Sequence, residues 1–527
     1  MFDIIIRNGL VFDGNPRSRG LRTDVGIKGN IIAAVKDLPG ESAETVIDAT
    51  DLYVAPGFID IQNHSDSHGQ ILSEPALESL VLQGITTIAI GQCGASLAPL
   101  PKPEALKSLQ KWGVMEGLNA DWRTFAEFVS KMKKHLFGTN VISFIGHATL
   151  RRSMVGDDGR ILQAGEIRQL AQLLDSSLKE GAAGVSFGFQ YGHEVSTTSE
   201  EIFALLNVVK NRDKVFSVHL RSQSENFLTS VQEVIDYTRT AGVKTKISHF
   251  KIEGSGNYGQ LEPAINAVEQ SYQSGARTHF DIYPYATSWR PLYVYLPSWA
   301  YEGGFKPMLE RMRDKKTRDK IRQELQEHRV RIAHLLVSSS PRVTSFVDKS
   351  INQIAATSNV AVEEALLRVL SANNGQVIVF DRDISGEQIT TLLKHPFSFI
   401  ATDGVGYPMK PVGAIELPHP RCFGSMPRFL RLIRGGDNQP VLMSWGQGLS
   451  KITSMPAEFL GLKDRGVIAK GMVGDVVIFD PKTVADTATY TNPYRPPVGV
   501  RYVVNNGKIS VFDSQLTGIY AGRMLTV

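Results

Sequence analysis

A chain of 527 residues is too long for one ordinary core and has room for a barrel of about 250 residues plus additions. Its composition, 42% hydrophobic and 21% charged, is that of a globular protein, and a net charge of +4 with basic and acidic residues intermixed argues against nucleic-acid or membrane-surface partners. Two cysteines, Cys93 and Cys422, make no disulfide framework, the opening residues lack a basic segment followed by a long apolar run, and no apolar stretch approaches the roughly 20 residues of a span. The cytoplasm is the expected location.

The N-terminal elements alternate as strands do. Asp3-Ile-Ile-Ile-Arg7, Leu10-Val-Phe12, Asp24-Val-Gly-Ile-Lys28 and Ile31-Ile-Ala-Ala-Val35 are separated by Asn-Gly, Asp-Gly and Gly-Asn turns. The same texture returns over 472–511, so residues 1–55 and 466–527 are expected to form one small β-sandwich domain. Between them, short apolar strands alternate with amphipathic helices, the pattern of parallel βαβ units. Candidate strands lie at 57–62, 86–90, 141–145, 184–187, 215–219, 244–249, 277–281, 377–380 and 397–402. Nine candidates for an eight-stranded ring is one too many, and either the strand near 277 or that near 377 lies outside it. The sequence does not choose. A lid or insertion is expected at about 286–375, where neighbouring elements are separated by far more than one βα unit. The expected architecture is an α/β fold: a (β/α)8 barrel over 56–465 carrying the small β domain.

In such barrels chemistry sits at the C-terminal ends of the strands. Five residues with metal-ligating side chains fall there: His64, Cys93, His219, His249 and Asp403. The gaps from His64 to Cys93 and from His219 to His249 each match one βα unit. Singly, each has an ordinary reading as a hydrogen-bonded histidine, a small buried thiol or a turn aspartate. Together they are imidazole, thiolate and carboxylate, the groups zinc accepts, and three of them leave an open position for water. A nucleophile-based hydrolase is disfavoured: Gly184-Val-Ser186-Phe-Gly188 ends a strand but has no identifiable Asp/His partners.

Val54-Ala-Pro-Gly-Phe-Ile-Asp60 and the following histidine resemble the start of the amidohydrolase superfamily barrel. More narrowly, Gly91-Gln-Cys93-Gly94, Gly146-His147-Ala-Thr-Leu-Arg151, Val218-His219-Leu-Arg221, Ser248-His249-Phe-Lys251, Asp281-Ile-Tyr-Pro-Tyr285, Ala401-Thr-Asp403-Gly404 and His419-Pro-Arg-Cys-Phe-Gly424 resemble the D-aminoacylase (N-acyl-D-amino-acid deacylase) family. The likeness implies a tight zinc site at Cys93, His219 and His249, with Asp403 as proton shuttle and His64 assisting catalysis. It also implies that Lys251, Tyr283, Ser288 and Arg421 line the substrate site, with Arg421 suited to the substrate's free carboxylate. The implied reaction is zinc-dependent hydrolysis of a small N-acyl-D-amino acid. One departure stands out. The family begins its site with His-x-His, whereas this chain has Gln62-Asn-His64, so a second metal site using His64 and Asp403 is expected to be weak or absent. Two other readings stay open: another amide-cleaving barrel of hydantoinase or isoaspartyl-dipeptidase type, and a catalytically impaired binding protein on the same barrel. The sequence does not give the preferred side chain, the acyl group or the oligomeric state.

Overall fold

Several barrel strands show no polar alternation because both their faces are covered. All six residues of Ile85–Ile90 are buried, as are all five of Gly184–Gly188 and of Val215–His219. In this computed structural model, which describes all residues except 103–104, 107–108, 110–119, 157, 412, 414–415 and 437–439, these strands lie in a parallel ring. Phe58–Asp60, Ile85–Ile90 and Asn140–Ser143 pair in parallel. The third of these breaks at Phe144 and resumes at Ile145–Gly146, which pairs with Gly184–Gly188. Val215–His219, Lys244–Ile247, Thr278–Ile282 and Ser398–Ile400 follow in order.

The ring closes just beyond the last strand. Asp403 donates its N–H to Gln62 O at 2.9 Å, and His64 donates its own to Gly404 O at 2.8 Å. The Asp60 carboxylate adds a staple by accepting the Thr402 N–H at 2.9 Å. Burial raises the Asp60 pKa to about 6, against the opposing effect of its bonds to Thr402 and Asn63.

The surplus strand is now placed. Thr278–Ile282 takes the seventh position, while Ile378–Asp381 lies between Ser288–Pro291 and Leu336–Ser339 in a separate antiparallel sheet. With the helices Phe305–Arg313, Lys315–Gln326 and Val362–Ala372 this sheet forms the insertion, whose own core includes Met308, Ile321, Leu366 and Val379. Its closing strand carries the insertion past residue 375.

Both chain ends meet in one nine-stranded sheet. Tyr53–Pro56 joins them, pairing in parallel with Phe2–Val11 and antiparallel with Val476–Phe479. Ile4, Ile6, Val25, Val54, Val476 and Val504 pack against one another beneath it. Among the described residues no helix is long and apolar enough to cross a membrane.

Candidate active site

Five strand ends deliver His64, Cys93, His219, His249 and Asp403 to one buried cluster, each no more than 4% exposed. Three of them bend the backbone into the left-handed region, Cys93 at φ 53°, His249 at 37° and Asp403 at 46°. Side-chain-bearing residues seldom adopt that conformation, and it persists where surrounding contacts enforce it. At Cys93 those contacts are clear. Gly91 and Gly94 flank it with positive φ, and a Cβ on Gly94 would run into the Glu194 carboxylate. Ser186 donates to Gly91 O at 2.5 Å and accepts the Gly94 N–H at 3.1 Å. Ser186 therefore pins the thiol-bearing turn. At His249 the backbone N–H is held by Asp281 Oδ1 at 2.8 Å.

The donor atoms of Cys93, His219 and His249 all lie within 4.8 Å of one another. His249 Nε2 is 3.6 Å from Cys93 Sγ and 2.9 Å from His219 Nδ1. Ligands at about 2.0–2.3 Å around a tetrahedral zinc stand at comparable separations. His219 Nε2 donates to Gln190 Oε1 at 2.9 Å, which leaves its Nδ1 lone pair facing the cluster. Burial, reinforced by the neighbouring Lys251 charge, holds the His249 pKa well below its ordinary value. A neutral imidazole is the form that ligates a metal. By donor type and convergence, these residues fit a zinc-like ion.

Asp403 stands beside this set. Its Oδ1 lies 3.1 Å from His64 Nε2, and its Oδ2 accepts from Arg421 NH1 at 2.7 Å. Burial pushes its pKa upward, but Arg421, His249 and the His64 hydrogen bond outweigh burial and hold the carboxyl well below the usual range. His64 is positioned by Ser67, whose Oγ is 3.2 Å from Nδ1. The remaining side of the cluster is filled by Gln62, which is fully buried.

The expected substrate-site residues gather around the same space. Lys251 Nζ lies 3.1 Å from Gln223 Oε1, and burial lowers its pKa to about 8 against the pull of Glu253. The Tyr283 ring sits under the Arg421 guanidinium at 4.6 Å, with Lys251 Nζ at 5.8 Å. Its hydroxyl is buried with no acceptor for its proton among the described residues. Ser288 is buried at the start of the insertion and donates to Asp381 O at 3.4 Å.

A family model describing the amidohydrolase family matches residues 351–511. The chain is 27% identical to the D-aminoacylase of Alcaligenes xylosoxydans xylosoxydans over 529 residues, covering 99% of this chain and 97% of the relative. It is 29% identical to the N-acyl-D-glutamate deacylase of the same organism, covering 99% and 96%. A crystal structure of N-acyl-D-glutamate deacylase from Bordetella bronchiseptica, complexed with zinc and a phosphonate mimic of the tetrahedral intermediate, superposes with a TM-score of 0.84 at 26% identity, covering 100% of both chains. Over its full length the chain is similar to D-aminoacylases and N-acyl-D-amino-acid deacylases of the amidohydrolase type.

The site is larger than the motifs that carry this likeness. Gln190 and Gln223 orient the two imidazoles, Gln223 Nε2 lying 2.9 Å from His249 Nδ1. Asp281 anchors the His249 backbone and pairs with the buried Lys246 at 2.6 Å. His68 stacks on Trp289 at 5.2 Å beside Arg421. Of these, Asp281 and Lys246 had a local signal: each is a charged residue set within a short barrel strand.

Proposed function

We propose that this chain is a zinc-dependent hydrolase of N-acyl-D-amino acids, releasing a carboxylate and a free D-amino acid. The observation that carries the reading is the convergence of Cys93, His219 and His249 on one point beside an ionised Asp403. Zinc held there would supply Lewis acidity toward the acyl oxygen and lower the pKa of water.

The chain's own groups do the rest. Asp403 Oδ1 accepts a proton from the water that attacks the acyl carbon and delivers it to the amide nitrogen as the C–N bond breaks. His64 Nε2, 3.1 Å from that oxygen, orients it and faces the space where negative charge develops on the acyl oxygen. Arg421 holds Asp403 in its ionised form. The Lys251 ammonium and the Tyr283 hydroxyl are donors for the substrate's free carboxylate, with Arg421 and Ser288 lining the same space. Burial on all sides excludes bulk water, so these charges act at low dielectric. The D-configuration rests on the full-length likeness to D-aminoacylase and N-acyl-D-glutamate deacylase. A thiol ligand such as Cys93 suits a reducing compartment, and we place the enzyme in the cytoplasm.

Zinc analysis of the purified protein, combined with assay of a panel of N-acetyl-D- and N-acetyl-L-amino acids, tests the reading. Zinc bound at Cys93 and hydrolysis of D-substrates, abolished by chelation and restored by zinc, are the expected results. Full hydrolysis by rigorously metal-free protein would overturn it.

A further inference from the structure

Cys93, His64 and Asp403 form a second group of metal-type donors that shares its thiol with the first. His64 Nε2 lies 3.9 Å from Cys93 Sγ and 3.1 Å from Asp403 Oδ1. Gln62 Nε2 reaches into the space between them. It sits 3.3 Å from Cys93 Sγ, 3.4 Å from His64 Nε2 and 3.5 Å from Asp403 Oδ1. These are long contacts to three groups at once, the arrangement of an atom sitting in a cradle more than of one committed hydrogen bond.

The other end of the amide explains why nitrogen faces the cradle. Gln62 Oε1 accepts from the Lys246 ammonium, and from Ser248 Oγ at 3.2 Å. Lys246 has donors only and is fully buried, with Asp281 Oδ2 at 2.6 Å as its counter-ion. Turning the amide over would set NH2 against ammonium and carbonyl oxygen against thiolate and carboxylate. Lys246 thus fixes the orientation from behind, and the positive end of the amide dipole points at Cys93 and Asp403.

We propose that the Lys246–Gln62 pair stands in for a second cation between Cys93, His64 and Asp403, so that the site is built for a single metal ion. The proposal deepens the reading of a zinc hydrolase and rests on it. The amide N–H groups supply the partial positive charge that the thiolate and carboxylate need, and they leave Asp403 Oδ1 free to exchange a proton.

The test is to titrate metal-free wild type, Gln62→Glu and Gln62→His with zinc by equilibrium dialysis and count bound equivalents. Wild type should hold a single tight equivalent. Gln62→Glu keeps the side chain's shape and its bond to Lys246 while putting a carboxylate oxygen where the amide nitrogen was, and it should gain a second. That second equivalent should bind about 10–100-fold more tightly than any second equivalent in Gln62→His, because histidine removes the Gln62 carbonyl that lies between the Lys246 ammonium and the site. Two tight equivalents in wild type would overturn the proposal, as would a single equivalent in Gln62→Glu or the reverse order of the two variants. Wild type that binds no zinc would remove the functional reading beneath it, a different and recognisable failure.

Discussion

Arg421 NH1 approaches Asp403 Oδ2 at 2.7 Å with both side chains almost wholly buried, so the guanidinium is tied to the proposed proton shuttle. The pairing has a consequence for pH dependence. Arg421 is the largest of the influences that keep Asp403 ionised against burial. A carboxylate must be ionised to accept a proton, so the acid limb of kcat/KM should follow Asp403. In Arg421→Met that limb is expected to move up by about one to three pH units, the usual effect of losing an adjacent cation. Arg421→Lys should recover part of the shift. Profiles of wild type and both variants check this, and an unmoved acid limb would show that Arg421 has no hold on Asp403.

Asp403→Asn should fold and retain zinc while losing about 10²–10⁴-fold in kcat, the typical worth of general acid–base catalysis. The amide matches the carboxylate in shape but cannot take a proton. Near-wild-type turnover with a full metal complement would remove Asp403 from its assigned role.

Much of this architecture was legible in the sequence, and the misses have physical reasons. Strand ends were readable because short apolar runs stop at polar residues, which put His64, Cys93, His219, His249 and Asp403 at the right end of the barrel. The seventh strand was not readable. Val377-Ile-Val-Phe380 is more apolar than Thr278-His-Phe-Asp-Ile282, and a buried antiparallel strand in the insertion reads as a buried parallel one in the ring would. Gln62 was visible as a departure at the start of the site, but its partner Lys246 was not, since 184 residues separate them. Ser186 shows the converse. Its Gly-x-Ser-x-Gly setting suggested a nucleophile to be weighed, yet its hydroxyl is consumed in bracing the Cys93 turn.

That turn makes its own prediction. Gly94 has φ 80°, and a Cβ there would meet the Glu194 carboxylate. Gly94→Ala should displace Cys93 and weaken zinc binding by about 10–100-fold, as disruption of groups that orient a ligand commonly does. Gly275→Ala is the control. It also has positive φ, but its Cβ would meet nothing within 4 Å. Competition with a chelating dye measures both, and equal affinities would mean that the Gly94 contact does not position the thiol.

Glu194 belongs to a buried charge cluster behind the turn. His147 Nδ1 lies 2.8 Å from Glu194 Oε1, and its Nε2 lies 2.6 Å from Glu201 Oε1. Arg151 NH1 completes the group at 2.5 Å from Glu201 Oε2, and all four side chains are fully buried. Burial works to lower the His147 pKa, but the two glutamates outweigh it and hold the pKa above the ordinary histidine value. In the window above about 6.5 the folded state therefore binds a proton that the unfolded state releases. The stability from this proton is complete below that value and is lost as pH rises through the folded-state pKa. His147→Gln leaves two buried carboxylates without their shared cation, a change that costs about 3–5 kcal/mol when one partner of a buried pair is removed. Because the variant has no imidazolium to lose, its deficit in Tm relative to wild type should be largest near pH 6 and should shrink toward pH 9. Thermal melts across that range decide the point: a deficit that stays constant with pH would mean that His147 is neutral in the folded protein and braces the turn through hydrogen bonds alone.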